Sequence, residues 1–155
     1  MYKVIDCPFD VGRFAPALRA AGVETVFRYY NMQNSRVFPH KCLTAAEASQ
    51  MFEAGLFIGT VFEQGGGADG NIAELDAAQG RANAARALEL AQGIGQPRGA
   101  AIYFTVDHDY AAPEQVAQIK PYFEAVKEIL GESCRVGVYG SGLISTVMKS
   151  AVLPI

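Results

Sequence analysis

The chain has 155 residues, half of them apolar and 19 % charged, and its 16 acidic against 13 basic side chains leave a net charge of −3 with both histidines neutral. That length and balance fit one globular domain and argue against an intrinsically disordered chain. With a pI of ≈ 5.4 and no Lys/Arg block, there is no electrostatic footprint for a phosphate backbone, so no nucleic-acid partner is expected.

The start, Met1-Tyr2-Lys3-Val4-Ile5-Asp6, lacks a basic stretch followed by an apolar one, and no later run approaches 18 apolar residues. Neither a Sec signal nor a membrane span is expected, which leaves a cytoplasmic location, or release by lysis or a specialised secretion route. Short β-rich runs follow at Lys3–Asp6, Thr25–Tyr30, Phe57–Glu63, Ala100–Asp107 and Arg135–Tyr139, with helical patterns between them. That rhythm is the one of βαβ units, so the fold class is α/β with a parallel sheet.

The helices carry their own punctuation. Thr44-Ala45-Ala46-Glu47 reads as a capping box, in which threonine and glutamate satisfy each other's backbone N–H groups, and Gly55 closes that helix. From Asn71 to Gln92 the positions Ile72, Leu75, Ala78, Ala82, Ala85 and Leu88 recur every three or four residues and predict one buried stripe. Gly93 and Gly95 follow it. Pro113 suits a first helical turn, and the stripe Val116, Ile119, Phe123, Val126 and Leu130 runs on to Gly131. Leu143–Val152 predicts a fifth helix, after which Leu153-Pro154-Ile155 offers at most the start of a sixth strand. Cys7, Cys42 and Cys134 are odd in number and far apart, which predicts reduced, mostly buried thiols rather than disulfides or a metal knuckle.

Function in parallel α/β folds gathers at the carboxyl ends of the strands. There the sequence places Asp6, Arg28 with Tyr30, Glu63-Gln64, Asp107-His108-Asp109 and Tyr139. Residues two apart share a face of a strand. Val4 thus goes with Asp6, Val26 with Arg28 and Tyr30, Gly59 with Val61 and Glu63, and Tyr103 with Thr105 and Asp107, so all the polar candidates can point one way. The opposite parity of the fourth strand, Ile102, Phe104 and Val106, is apolar and suited to packing on helices. A strand-end aspartate such as Asp6 or Asp109 is often only a cap or turn former. Glutamate caps poorly, so Glu63 at the end of an apolar run asks for a functional reason. Arg28 can line the groove or neutralise its acidity as a structural ion pair.

Neighbouring carboxylates perform acid/base chemistry because repulsion and partial burial separate their proton affinities. Glycoside hydrolysis uses such a pair, and tyrosines here could supply platforms for sugar faces. Other chemistries fit less well. Cys7-Pro8-Phe9-Asp10-Val11-Gly12-Arg13 has the Cys-x5-Arg spacing of phosphatase loops, but Pro8 lacks an N–H and Asp10 adds negative charge to the cradle. Gln64-Gly65-Gly66-Gly67-Ala68-Asp69-Gly70-Asn71 lacks the spacing of a nucleotide loop and reads as a flexible loop leading to a helix capped near Asn71. His40 and His108 have no spaced partners, so no metal and no cofactor are expected.

Val4-Ile5-Asp6-Cys7, Phe27-Arg28-Tyr29-Tyr30, Lys41-x-Leu43-Thr44-Ala45-Ala46-Glu47, Ile102 through Asp109, and Gly137-Val138-Tyr139-Gly140-Ser141-Gly142 together resemble the Rv2525c-like glycoside-hydrolase-like domain, also called domain of unknown function 1906. The resemblance covers essentially the whole chain. It implies a (β/α) barrel related to the glycoside hydrolase family 25 lysozymes and a link with bacterial cell walls. On it, Asp6 resembles the aspartate ending the first strand, and Asp107-His108-Asp109 resembles an Asp-x-Glu motif in which Asp109 replaces the glutamate. Glu63 resembles the acidic residue after the third strand. An eight-unit barrel takes about 250 residues, whereas five units are visible here. Either a shortened barrel, open or completed by another chain, or a five-stranded doubly wound sheet is expected, and an open edge would favour a homo-oligomer.

The resulting expectation is a domain that binds or hydrolyses a cell-wall-type carbohydrate polymer such as peptidoglycan. Glu63 and Asp107 form the carboxylate pair, Asp6 and Asp109 orient the substrate, and Arg28, Tyr30, Tyr103, Tyr139 and Gln64 contact it. The alternative is a non-catalytic glycan-binding or interaction domain with a degenerate hydrolase site.

Overall fold

The computed structural model describes residues 2–152. Five strands, β1 (Val4–Asp6), β2 (Thr25–Tyr30), β3 (Phe57–Phe62), β4 (Ala101–Thr105) and β5 (Arg135–Tyr139), alternate with five helices. These are α1 (Ala15–Ala20), α2 (Ala45–Glu53), α3 (Ala77–Ile94), α4 (Pro113–Leu130) and α5 (Gly142–Ala151). All four strand pairings are parallel and the sheet order is β1-β2-β3-β4-β5. The order advances one strand at a time, as in the wall of a (β/α) barrel, with no reversal of the kind that makes a crevice in a doubly wound sheet. Among the described residues β1 and β5 each pair on one side only. Leu153-Pro154-Ile155 lies outside the described residues.

Right-handed crossovers repeated in one direction lay the helices on one face of the sheet, and the core forms between the two layers. Val26, Tyr30, Phe62, Ile102 and Phe104 from the strands pack with Ala84, Ala87, Ile119, Phe123 and Val126 from the helices. The whole predicted stripe of α4 is buried. The stripe predicted for α3 is out of phase. Ala78, Ala82 and Ala85 are exposed, while Gly80, Asn83, Ala84, Ala87 and Ala91 face inward. In a run so rich in alanine, side-chain apolarity does not mark the buried face. The helix also begins later than Asn71. Residues Ile72–Leu75 form a 3-10 turn, and Asp76 caps α3 by accepting from the Gln79 N–H at 2.7 Å.

Gly80 is where α3 and α4 come closest, because a Cβ there would lie 2.5 Å from the Tyr122 carbonyl oxygen. Backbone cannot give way as a side chain can. Gly80→Ala is therefore expected to destabilise by about 1–3 kcal/mol through overpacking, despite the gain of about 1 kcal/mol in helix propensity, as read by urea unfolding.

Beside it, the buried Tyr122 hydroxyl accepts from Asn83 Nδ2 at 3.0 Å. Burial pushes its phenol up to about 12, against a smaller opposing effect of Asn83. A tyrosine in the unfolded chain ionises near 10, so between about pH 10 and 12 the unfolded state has released a proton that the native state retains. The stabilisation is full below that window and lost as the pH rises through it, at about 1.4 kcal/mol per pH unit. Urea midpoints should accordingly fall more steeply above pH 10 in the parent than in Tyr122→Phe.

Candidate functional site

Register decides which strand residues share the open face. Asp6 pairs with Phe27, Tyr29 with Val61, Val61 with Tyr103, Tyr103 with Gly137 and Thr105 with Tyr139. The face away from the helices thus carries Asp6, Phe27, Tyr29, Gly59, Val61, Tyr103, Thr105 and Tyr139. Gly59 and Gly137 make room for rings: a Cβ at Gly59 would lie 2.6 Å from Phe27 and one at Gly137 2.4 Å from Tyr103. Phe27 and Tyr103 meet edge to face at 5.5 Å and form a floor one layer below Tyr139.

Above the floor the strand ends converge. The Tyr29 hydroxyl donates to Asp6 Oδ1 at 2.6 Å. The Lys41 ammonium lies 4.6 Å from the centre of the Tyr29 ring and donates to Glu63 Oε1, forming an ion pair. Tyr139, at the end of β5, is 42 % exposed. Partial burial, and then the charges of Asp6, Asp107 and Glu63, push its phenol above the usual tyrosine range. The Tyr29 phenol is raised by burial first, then by the hydrogen bond to Asp6 and by the charges of Asp6 and Glu63. Asp107 and Asp109 are exposed, and no side chain among the described residues hydrogen-bonds to their carboxylates. They line an open cleft of ≈ 810 Å³ with His108, Tyr139 and Ser141. Among the described residues no three His, Cys, Asp or Glu side chains gather as a metal set.

Two expected contact residues face the other way. Arg28 and Tyr30, placed with Asp6 on the strength of alternation alone, lie on the helix side and are fully buried. The Tyr30 hydroxyl donates to Gln96 Oε1 at 2.7 Å. Arg28 is a structural ion pair, with α2 rather than with the acidic mouth. Its Nε donates to Glu47 Oε1 at 2.6 Å and its Nη2 to Glu47 Oε2 at 3.0 Å. Half of the expected capping box is accordingly replaced. Thr44 Oγ1 accepts from the Glu47 N–H, but the Glu47 carboxylate turns to Arg28 and to the Val11 N–H. Gln64 uses its amide oxygen to hold the backbone N–H groups of Met32 and Gln33. Thr105 bonds the Phe62 carbonyl beneath the glycine loop.

That loop is pinned rather than free. Gly65, Gly66 and Gly67 all have positive φ, a run that side chains would resist. The Gly66 carbonyl accepts from the Asp107 N–H, Gly67 accepts from the Tyr110 hydroxyl, and Glu74 Oε2 accepts from the Gly67 N–H. The loop thereby sets the direction in which β4 delivers Asp107. Lys41 had no strand-end signal to mark it. It arrives because the His40 carbonyl is held by Arg28 Nη2 and Cys42 bridges to Tyr29, so both neighbours are anchored. Lys41 does fall within a stretch that carries the family resemblance. The cysteines are free, Cys134 buried and Cys7 and Cys42 half-buried. Burial pushes the Cys42 and Cys134 thiols up, which disfavours the reactive thiolate.

The fold is thus a sequentially ordered parallel α/β wall with carboxylates, a lysine and tyrosines at its strand ends. The chain belongs to the Rv2525c-like, glycoside hydrolase-like domain family, whose profile matches residues 16–152. Among curated proteins it is 28 % identical over 140 residues to the uncharacterized protein FadG of Bacillus subtilis, and 32 % identical over 136 residues to the uncharacterized protein YbfG of the same organism. These alignments cover 87 % and 81 % of this chain but 23 % and 18 % of the relatives, so the chain spans less than a quarter of either. Among solved structures, the Mycobacterium tuberculosis Tat-secreted protein Rv2525c in complex with L-tartrate superposes with a TM-score of 0.81 at 26 % identity, over 94 % of this chain and 71 % of that one. An uncharacterized Bacillus stearothermophilus protein shares the fold, with a TM-score of 0.68 at 17 % identity, over 88 % of this chain and 59 % of that one. No helix among the described residues is long and apolar enough to cross a membrane.

Proposed function

We propose that the mouth at the strand carboxyl ends binds a glycan of bacterial-wall type and hydrolyses its glycosidic bond. The observation that carries this reading is the linked group of Asp6, Tyr29, Lys41 and Glu63 at the same strand ends as a cleft lined by Asp107, Asp109 and Tyr139, because a glycosidase needs two carboxylates beside an apolar sugar platform. Asp107, free of hydrogen-bonding side chains, protonates the leaving oxygen. Glu63, oriented by Lys41, stabilises the developing positive charge or activates water. Asp6 and Asp109 orient the sugar, and Tyr139 stacks on it above the Tyr103 floor.

A second reading, a glycan-binding domain without turnover, is favoured by the exposure of both Asp107 and Asp109. Release of reducing ends from purified peptidoglycan and chitin oligomers separates the two. Release by the parent that disappears in both Glu63→Gln and Asp107→Asn supports hydrolysis. A folded parent that binds these glycans without releasing ends supports the binding domain.

A further inference from the structure

Beside the mouth, the loops after β1 and β2 enclose a second cleft of ≈ 640 Å³, lined by Phe9, Asp10, Arg13, Phe14, His40 and Gln50. Its composition is unusual for idle surface. Phe9 and Phe14 are 54 % and 48 % exposed. Phe9 leans on Phe38 with ring centres 5.6 Å apart, and the Arg13 guanidinium lies 4.5 Å from the Phe14 ring. The side chains of Arg13, His40 and Gln50 make no hydrogen bond with any described residue, so donors and acceptors stand unused around two exposed rings. Exposed rings rimmed by free polar groups are the makings of a ligand site.

A chain of side-chain contacts links the cleft to the mouth. Phe38, which supports Phe9, lies 5.9 Å from the Lys41 ammonium, and that ammonium pairs with Glu63 and covers Tyr29. We infer that the cleft is a further sugar subsite, occupied by a neutral N-acetylated residue of the same glycan chain whose other residues fill the mouth. This rests on the mouth being a glycan site. A pyranose offers one face of C–H bonds with positive polarisation, which packs on the negative face of an aromatic ring, while its hydroxyl and acetamido groups need partners at the rim. Phe9 supplies the ring, and Arg13, His40 and Gln50 supply the rim. Asp10, held by the Gly12 N–H at 2.8 Å, sets a negative charge near Arg13. The cleft is therefore close to neutral and suits an uncharged sugar better than a polyanion.

Titration with chitobiose and chitohexaose, using the parent, Phe9→Ala and Tyr139→Ala, tests the inference. The parent should bind the hexamer more tightly than the dimer. Phe9→Ala should lose about fivefold to tenfold in hexamer affinity, the scale of one aromatic contact, with dimer affinity unchanged, whereas Tyr139→Ala should weaken both. Hexamer affinity unchanged in Phe9→Ala but lost in Tyr139→Ala overturns the subsite and leaves the mouth reading intact. A folded parent that binds neither oligomer overturns both. Phosphatidylglycerol vesicles serve as a control: loss of vesicle binding in Phe9→Ala with glycan affinity intact assigns the cleft to a lipid surface and overturns the subsite.

Discussion

Arg28→Ala is expected to lower the unfolding free energy by about 3–5 kcal/mol, the cost of removing one partner of a buried ion pair. Both side chains are almost wholly out of water, at 0 % and 1 % exposure. Alanine would leave the Glu47 carboxylate in the interior with only the Val11 N–H as a donor, and would also strip the Cys7 and His40 carbonyls of the guanidinium that satisfies them. The loss comes chiefly from groups left unpaired, so it need not recur when both partners go together. A double variant, Arg28→Met with Glu47→Leu, should be far more stable than the two single losses add up to, and urea unfolding of the four proteins gives the coupling as a double-mutant cycle. Single losses below 1 kcal/mol, or strict additivity, would show that the pair is not an isolated buried unit. The same fork also has a positional consequence. Cys7 follows Asp6 and His40 precedes Lys41, so Arg28 fixes the loops that deliver the Asp6 carboxylate and the ammonium that pairs with Glu63. Arg28→Lys keeps the charge but loses the bidentate geometry, and should weaken glycan binding at the mouth more than it lowers stability.

On the proposal that the mouth hydrolyses glycans, Asp107→Asn is expected to lower kcat for reducing-end release by about 10²–10⁴, the usual contribution of one positioned general acid or base, with glycan affinity changed less than about threefold. Asparagine preserves size and hydrogen-bonding reach but carries no transferable proton at physiological pH. The backbone of Asp107 stays tied to Gly66, which holds the direction of the side chain through the substitution. Steady-state kinetics on chitin oligomers and direct binding measurements report the two effects separately. Equal losses in kcat and affinity would give Asp107 a role in binding, and turnover unchanged in the variant would move proton donation to another carboxylate at the mouth, with Asp109 next in line.

Much of the local architecture was legible in the sequence. β2 and β5 occupy the predicted spans end to end, and the remaining strands differ by one or two residues at their ends. The α4 stripe was readable because its positions are bulky and its spacers polar, whereas α3 was misphased because alanine occupies both its buried and its exposed faces. The candidate site was legible in part. The strand-end rule placed Asp6, Glu63, Asp107 and Tyr139 at the mouth, but it also enlisted Arg28 and Tyr30, which face the helices, and passed over Lys41.

The reason lies in the range of the interactions. Strand alternation, helix periodicity and caps are set by residues within a few positions of each other, so the chain by itself determined the α/β class, the element order and the clustering of carboxylates at strand ends. Alternation divides a strand into two faces without saying which one meets the helices. That choice belonged to the tertiary structure, through the register that pairs Asp6 with Phe27 and so turns Tyr29 to the mouth and Arg28 to the core. The ion pairs that shape the site, Arg28 with Glu47 and Lys41 with Glu63, span 19 and 22 residues. Contacts at that separation leave no periodic trace in the chain, and they form only when a strand, a helix and two loops have been packed together.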